Sequence, residues 1–530
     1  MTRSTHSAPR PRLSVAMIVR NEQDVLPDSI QSVRSIADEI VVLDTGSTDQ
    51  TLAVAGRLGA VVGQTVWSND FAAARNACLR LVTGDWVLWL DAGERLAADS
   101  ARQLREFVDQ QADRQKAYLL LVEVPPADAA ASGEQAARLR LMPNRGDLRF
   151  EGRVRETLQP SIAAAGLAVG TAPGRIVRHA RQHDPARKAL KARRDLELAH
   201  LEIGEHDEPP LRVLLAMGEA YSDLGLGEQA RGLFRKAIDR AVKGSTDMLE
   251  AYYGLLTALE GDPLLRDLQL SVCLEALELF PFDAQLLLAM GNYLQGQQRL
   301  DLAARAFDTA VKYGQADPAT WHLTELAEVA AVCLSLTLQL QGSHELALEV
   351  LQEALKRHAD SPRLVRYLLD LHAKHGRCEE ALALAGRLPL APGELALLGT
   401  AIRGACKAVE KDWTAALGHL QSAYVAGCHD PFLLRWLSVA LLSNGQIEAA
   451  EPVLSEWHQL EPNSAELRTY LAALRQFGEA TPAKQQPAAE QAPGGAGGRQ
   501  CRVDQRTAVP PIAPPISPAV ATPAPAHSRL

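Results

Sequence analysis

A single spacing constrains this chain more than any other feature. Ala347, Ala381, Ala416 and Ala450 recur at intervals of 34, 35 and 34 residues. A small residue returning at one period marks a helical hairpin copied in tandem. Each copy is too small to bury its apolar face alone and has to stack on its neighbours. The pattern begins earlier: Gly218, Tyr221, Ala230, Phe234 and Ala237 form one unit, and Gly291, Ala303, Phe307 and Ala310 repeat it. Residues 186 to 476 are therefore expected to be helical throughout, with six or seven stacked units. An aromatic content of 5% suits such an Ala- and Leu-rich helical array better than a β-sandwich.

Residues 12–185 follow a different rule. Short apolar runs at Leu13–Val19, Glu39–Leu43, Ala60–Val66 and Trp86–Leu90 read as strands. Helical segments at Asp24–Ile36, Thr48–Leu58 and Phe71–Val82 separate them, the second with Ser47 or Thr48 as N-cap. Strands alternating with helices at this spacing call for parallel crossovers, hence an α/β, doubly wound sheet. Further strands are expected at Tyr118–Val124, Arg138–Met142 and Leu148–Val154. Residues 477–530 hold 10 of the 30 prolines and too little apolar surface to offset ordering entropy, so a disordered tail is expected.

Charge and cysteine usage remove several function classes. The net charge is −9 with no basic block, which argues against nucleic-acid binding. Seven cysteines contain no CxxC pair, which argues for reduced thiols and a cytoplasmic location rather than a disulfide framework or zinc site. The longest apolar region, Leu323–Leu340, carries Glu325 and Glu328, so no transmembrane segment is expected. No GxGxxG follows the first strand and no GxxxxGK[ST] occurs, which speaks against dinucleotide and P-loop sites.

Parallel sheets bind ligands beyond the carboxyl ends of their strands. Three polar motifs are placed there: Arg20-Asn21-Glu22 after the first strand, Asp44-Thr45-Gly46-Ser47-Thr48-Asp49 after the second, and Asp91-Ala92-Gly93-Glu94 after the fourth. The ordered series "LSVAMIVRNE…DEIVVLDTGSTDQT…FAAARNACLRLVTGDWVLWLDAGE" resembles family 2 glycosyltransferases of the GT-A fold. It does so closely over residues 13–95 and loosely over 138–180. "RFEGRVRE" at 149–156 is similar to a segment found in one branch of that family, in which tetratricopeptide repeats often follow. The expected organisation is thus a GT-A glycosyltransferase domain at 12–185, an all-α tetratricopeptide solenoid at 186–476 and the tail at 477–530.

The resemblance implies roles for particular residues. Asp44 would accept from the nucleobase, typically uracil, in a pocket lined by Asn21 and Glu22. Ser47 and Asp49 would border the ribose. They also suit the start of the following helix, and Asp44 suits the turn at Gly46. Arg75 would face the diphosphate or the acceptor, since a guanidinium fork matches phosphate oxygens. Asp91 would touch the ribose and a divalent cation, Mn²⁺ or Mg²⁺, with Glu94 and His179 as further metal ligands. Glu156 is the expected catalytic base and Glu151 the other candidate: five residues apart on a continuous strand they would face opposite sides. Two positions depart from the family. Gly93 stands where relatives carry the second metal-contacting aspartate, and Arg155 stands where they carry histidine. The implied activity is inverting transfer from a nucleotide sugar, a UDP-sugar foremost, to a protein, peptide or glycan acceptor. The repeats would bind the acceptor or a protein partner. The alternative is an inactive GT-A-like domain on an interaction scaffold.

Overall fold

The computed structural model describes residues 10–126, 132–179, 184–260, 262–461, 464 and 466–472. The expected tail at 477–530 lies outside them. The first part of the chain runs β1 (Leu13–Val19), α1 (Leu26–Val33), β2 (Glu39–Asp44), α2 (Thr51–Arg57), β3 (Val61–Gln64), α3 (Phe71–Leu79), β4 (Trp86–Trp89), β5 (Glu94–Leu96), α4 (Ser100–Gln110), β6 (Lys116–Val124), β7 (Glu134–Pro143), α5 (Gln159–Ala164) and β8 (Ala168–Arg178). The strands lie in the order β3-β2-β1-β4-β7-β6-β8-β5. β1 to β4 pair in parallel, as the alternation requires. β7 then runs antiparallel to both β4 and β6, so the sheet is mixed.

Both faces of the sheet are covered, which is why β1 reads as one apolar run. Leu13, Val15, Met17 and Val19 pack with Leu26, Ile30 and Val33 of α1 and Leu104 and Val108 of α4. Ala16 and Trp89 face the other way and pack with Ala72 and Cys78 of α3.

Two expectations for this part are corrected, and two strands are added. No strand covers Leu148–Val154, because Gly152 (φ 102°) and Arg155 (φ 50°) turn the chain through left-handed conformations there. Only an isolated bridge, Glu151 to Thr157, remains. α2 begins at Thr51 with Gln50 as its N-cap, so neither Ser47 nor Thr48 caps it. Strands β5 and β8 had no clear sequence signal. β8 contains Gly170, Pro173 and Gly174 and is largely exposed along one side.

The remaining chain is helical: α6 (Pro185–Ile203), then α7 (Leu211–Asp223), α8 (Gly227–Arg240), α9 (Thr246–Leu259), α10 (Arg266–Leu279), α11 (Ala284–Gly296) and α12 (Leu300–Tyr313). A two-residue strand, β9 (His322–Leu323), intervenes. α13 (Leu326–Leu340), α14 (His344–Arg357), α15 (Pro362–Lys374), α16 (Cys378–Ala385), α17 (Pro392–Val409), α18 (Trp413–Val425), α19 (Pro431–Ser443) and α20 (Ile447–Leu460) follow. From α7 onward the described helices form seven consecutive pairs. Ala347, Ala381, Ala416 and Ala450 are each the fourth residue of the second helix in a pair, and each is fully buried. Ala230 and Ala303 occupy the same place in α8 and α12. In α10 the position is Gln269, whose side-chain amide donates to Leu259 O. That substitution hides the period between the first and third pairs.

Phe234 shows why the units need small residues. A Cβ at Gly218 of α7 would lie 2.7 Å from its ring, and one at Gly254 of α9 would be closer still. Gly254→Ala is therefore expected to destabilise the protein by about 1–3 kcal/mol through overpacking. A lowered denaturant midpoint at unchanged slope would show it, and an unchanged midpoint would refute it.

Secondary structure changes between β8 and α6, where the sequence changes pattern. The compact units divide elsewhere. One takes in the sheet, the helices through Leu294 and Lys312–Leu326. The other takes in Gln295–Val311 and the helices from Ala327 onward. The first unit extends so far because β9 pairs antiparallel with β7, and because α6, α7 and α9 grip the loop that follows β7. No described helix is long and apolar enough to cross a membrane.

Candidate active site

The ends of β1 and β2 hold one another through side chains. Asn21, itself at φ 55°, donates its N–H to Ser47 Oγ and accepts at Oδ1 from Thr48 N, at 2.9 and 2.8 Å. Glu22 N donates to Thr51 Oγ1, and Asp49 Oδ1 accepts from Thr51 N. Asp44 is buried, and its carboxylate accepts from the N–H groups of Gly46 and Ser47, each at 3.0 Å, and from the Ser47 hydroxyl. Five of the expected nucleotide-contacting residues thus meet in one loop cluster. In this state Asp44 caps the Gly46 turn, where the backbone has φ 107°.

Beside this cluster, β4 ends in a network of charges. Asp91 Oδ1 accepts from Trp89 Nε1 at 2.9 Å and faces Arg75 Nη2 at 3.1 Å, while Oδ2 faces Arg140 Nη2 at 3.2 Å. Arg75 Nε donates to Glu156 Oε1 at 2.5 Å, and its guanidinium lies 4.5 Å from the Trp89 ring centre. Glu94 accepts from Arg140 at 2.8 Å, from Arg178 Nε at 3.1 Å and from the Asp91 N–H. The Arg75 and Glu156 side chains are 3% and 2% exposed, against 19% for Asp91, the open corner of the group. Burial works against the Asp91 charge, but Arg75, Arg140 and Arg178 outweigh it and hold the carboxyl below its ordinary range. Burial dominates at Glu156 and lifts its carboxyl above the usual glutamate range.

The loop carrying Glu156 is shaped by the helices. Glu202 of α6 accepts from Arg153 N and Val154 N and pairs with Arg212 of α7, which donates to Val154 O. Arg155 reaches Glu250 of α9 at 2.8 Å and Glu219 of α7 at 3.6 Å. These contacts leave a narrow cleft lined by Glu156, Arg155, Phe71, Lys191, Glu219 and Asp223 among others. Glu151 lies apart: it is half-exposed and pairs with Arg149. Glu156 is buried and Glu151 half-exposed, and a turn rather than a continuous strand separates them, so strand parity does not account for the difference.

The expected metal ligands are differently engaged. Gly93 sits at φ 87°, donates its N–H to Ser29 Oγ and accepts from His179 N. That brings His179 back to the Asp91–Glu94 turn, but its side chain is exposed. No three His, Cys, Asp or Glu side chains among the described residues are grouped to hold a metal ion. Both Asp91 oxygens and both Glu94 oxygens already accept hydrogen bonds, and three guanidiniums crowd them. A hard divalent cation needs several oxygen donors free of such competition, so this set does not fit one. Of the expected ligands, Asp91 and Glu94 are engaged by arginines as they stand, and the His179 side chain faces solvent.

Two members of the network were not anticipated. Arg140 shares a face of β7 with Arg138, two residues away, and a repeated charge inside an apolar strand was a legible signal. Arg178 gave none, because β8 itself was not foreseen.

Residues 14–114 match the family model Glycosyl transferase family 2. A TPR repeat-containing protein of Synechococcus elongatus is 40% identical over 154 residues, covering 29% of this chain and 37% of that protein. An uncharacterized glycosyltransferase of Rickettsia conorii is 34% identical over 108 residues, covering 20% of this chain and 38% of that protein. The chain spans little more than a third of the length of these curated relatives. Glucosyl-3-phosphoglycerate synthase from Mycobacterium tuberculosis, solved with Mn²⁺ and uridine-diphosphate-glucose, aligns at 23% identity. It covers 22% of this chain and 43% of that one, with a TM-score of 0.19. Over residues 14–114 the chain is thus similar to Glycosyl transferase family 2, and paired helices carrying an alanine at a period of 34–35 residues follow.

Proposed function

We propose that the N-terminal domain, taken as 12–185, transfers a sugar from a UDP-sugar to an acceptor hydroxyl, and that the helical region, 186–476, presents the acceptor or a protein partner. The observation that carries this reading is the convergence of Asp91, Arg75 and Glu156 between the β1–β2 loop cluster and a helix-lined pocket. The uridine nucleotide would occupy the cluster of Asn21, Glu22, Asp44, Ser47 and Asp49. The base would displace the Ser47 or Gly46 contacts of Asp44. The acceptor, a glycan, peptide or protein hydroxyl, would enter the pocket and give its proton to Glu156. Its oxygen forms the new bond to the sugar C1 while the C1–O bond to the diphosphate breaks. The bond's electron pair leaves on the phosphate oxygen, and attack from the opposite face gives inversion. Arg75 bridges the two sides, with Nε on the base and Nη2 on Asp91, so it orients both. The described thiols are unpaired and largely buried, in keeping with a reducing, cytoplasmic setting.

A second reading rests on Gly93 and on Arg155, which lines the pocket but is held there in ion pairs with Glu219 and Glu250. In this reading a domain without turnover serves as a scaffold for the repeats. A panel of UDP- and GDP-sugars incubated with the full chain separates the two. Release of UDP from one sugar, strengthened by an acceptor extract, is the expected result. Nucleotide binding without any release would favour the scaffold.

A further inference from the structure

The donor diphosphate needs positive charge as it departs, and the residues at this site supply it in one form only. Arg75 and Arg140 each aim an Nη2 at a different oxygen of Asp91, the most open member of the network. These are its longest contacts, 3.1 and 3.2 Å, against 2.5 Å from Arg75 to Glu156 and 2.8 Å from Arg140 to Glu94. The inner contacts therefore fix both guanidiniums, and the outer ones are the looser. Arg140 Nε is buried with no hydrogen-bond partner, so this guanidinium has donor capacity left over. Gly93 offers no oxygen side chain where a second carboxylate would favour a cation, and its φ of 87° is strained for any residue that could supply one.

We propose that Arg75 and Arg140 hold the donor diphosphate in place of a divalent cation, so that nucleotide binding here is metal-independent. Guanidinium forks and metal ions are alternative ways to meet developing phosphate charge, and a fork matches two phosphate oxygens in one plane. Arg178 is a positioning residue in this scheme. It shares Glu94 with Arg140 and rests over the Trp321 ring at 4.9 Å. This inference rests on the UDP-sugar reading.

Titration calorimetry of the full chain with UDP and with UMP, in EDTA and in Mn²⁺, tests it without a mutation. UDP is expected to bind at least about 10-fold more tightly than UMP in EDTA, with less than about a 3-fold gain from Mn²⁺. Arg140→Gln, with folding confirmed by circular dichroism, is expected to erase the UDP preference, and Mn²⁺ should not restore it. A UDP preference that appears only with Mn²⁺ overturns the inference and leaves the donor reading standing. Failure of both nucleotides to bind in either buffer overturns the donor reading, and this inference with it.

Discussion

Replacing Glu156 with glutamine is expected to lower the transfer rate by about 10²-fold or more while nucleotide affinity stays nearly unchanged. The amide keeps an oxygen for Arg75 Nε but cannot take a proton from the acceptor. Arg75 also retains Asp91 at 3.1 Å, so its charge is not left unpaired. Breaking a buried ion pair by removing one charge still costs up to about 3–5 kcal/mol, so a thermal melt belongs beside the assay. If the glutamine variant melts below the assay temperature, Glu156→Asp keeps the charge and withdraws the carboxylate by one methylene. It too should lose rate and hold UDP. Glu151→Gln is the control, since Glu151 meets solvent and Arg149, and it should retain full activity. The pH profile gives an independent check. A base works ionised, and burial raises the Glu156 pKa, so activity should fall with acidification at a pH above the ordinary glutamate range. Full activity in Glu156→Gln with loss in Glu151→Gln would reverse the assignment.

What the sequence disclosed and what it withheld follow from the range of the interactions. β1 and the 34-residue period were legible because each rests on local repetition: an unbroken apolar run for a strand covered on both faces, and one alanine wherever two helices cross. The loop cluster of Asn21, Asp44 and Ser47 was legible because the ends of adjacent parallel strands must meet. The turn at 150–156 was not, because alternation imitates a strand. What breaks it is Glu202 and Arg212, some 50 residues on, taking up the backbone of Arg153 and Val154. The charge network fell between these cases. Arg75 and Asp91 stood in recognisable motifs, yet their partners Arg140 and Arg178 come from strands whose order in the sheet no local pattern encodes. Gly93 read as a missing ligand. Its positive φ shows it is also the hinge that turns Glu94 inward.

Trp321 is the residue that local reasoning missed most completely, and its removal is expected to have the largest effect on stability. It lies among the helical repeats in sequence, yet in the first compact unit it is 1% exposed, beside β9, and lies under two guanidiniums, Arg138 at 5.1 Å and Arg178 at 4.9 Å. The segment before it is tied to the sheet by Pro318 O, which accepts from Ala137 N, and by Ala319 O, which accepts from Arg138 Nη1. Trp321→Ala is expected to cost about 3–5 kcal/mol, from the lost ring and the cavity it leaves. Each cation–π contact adds on the order of 1 kcal/mol to that loss. Trp321→Phe should recover most of the packing, because the buried indole Nε1 has no partner to lose. The consequence reaches the active site through one short path: Arg178 loses its platform, Glu94 loses a fixed partner, and the Asp91 turn loosens. Weaker UDP binding in Trp321→Ala, recovered in Trp321→Phe, is the expected result. A destabilised Trp321→Ala variant that binds UDP with unchanged affinity would confine Trp321 to packing and break that path.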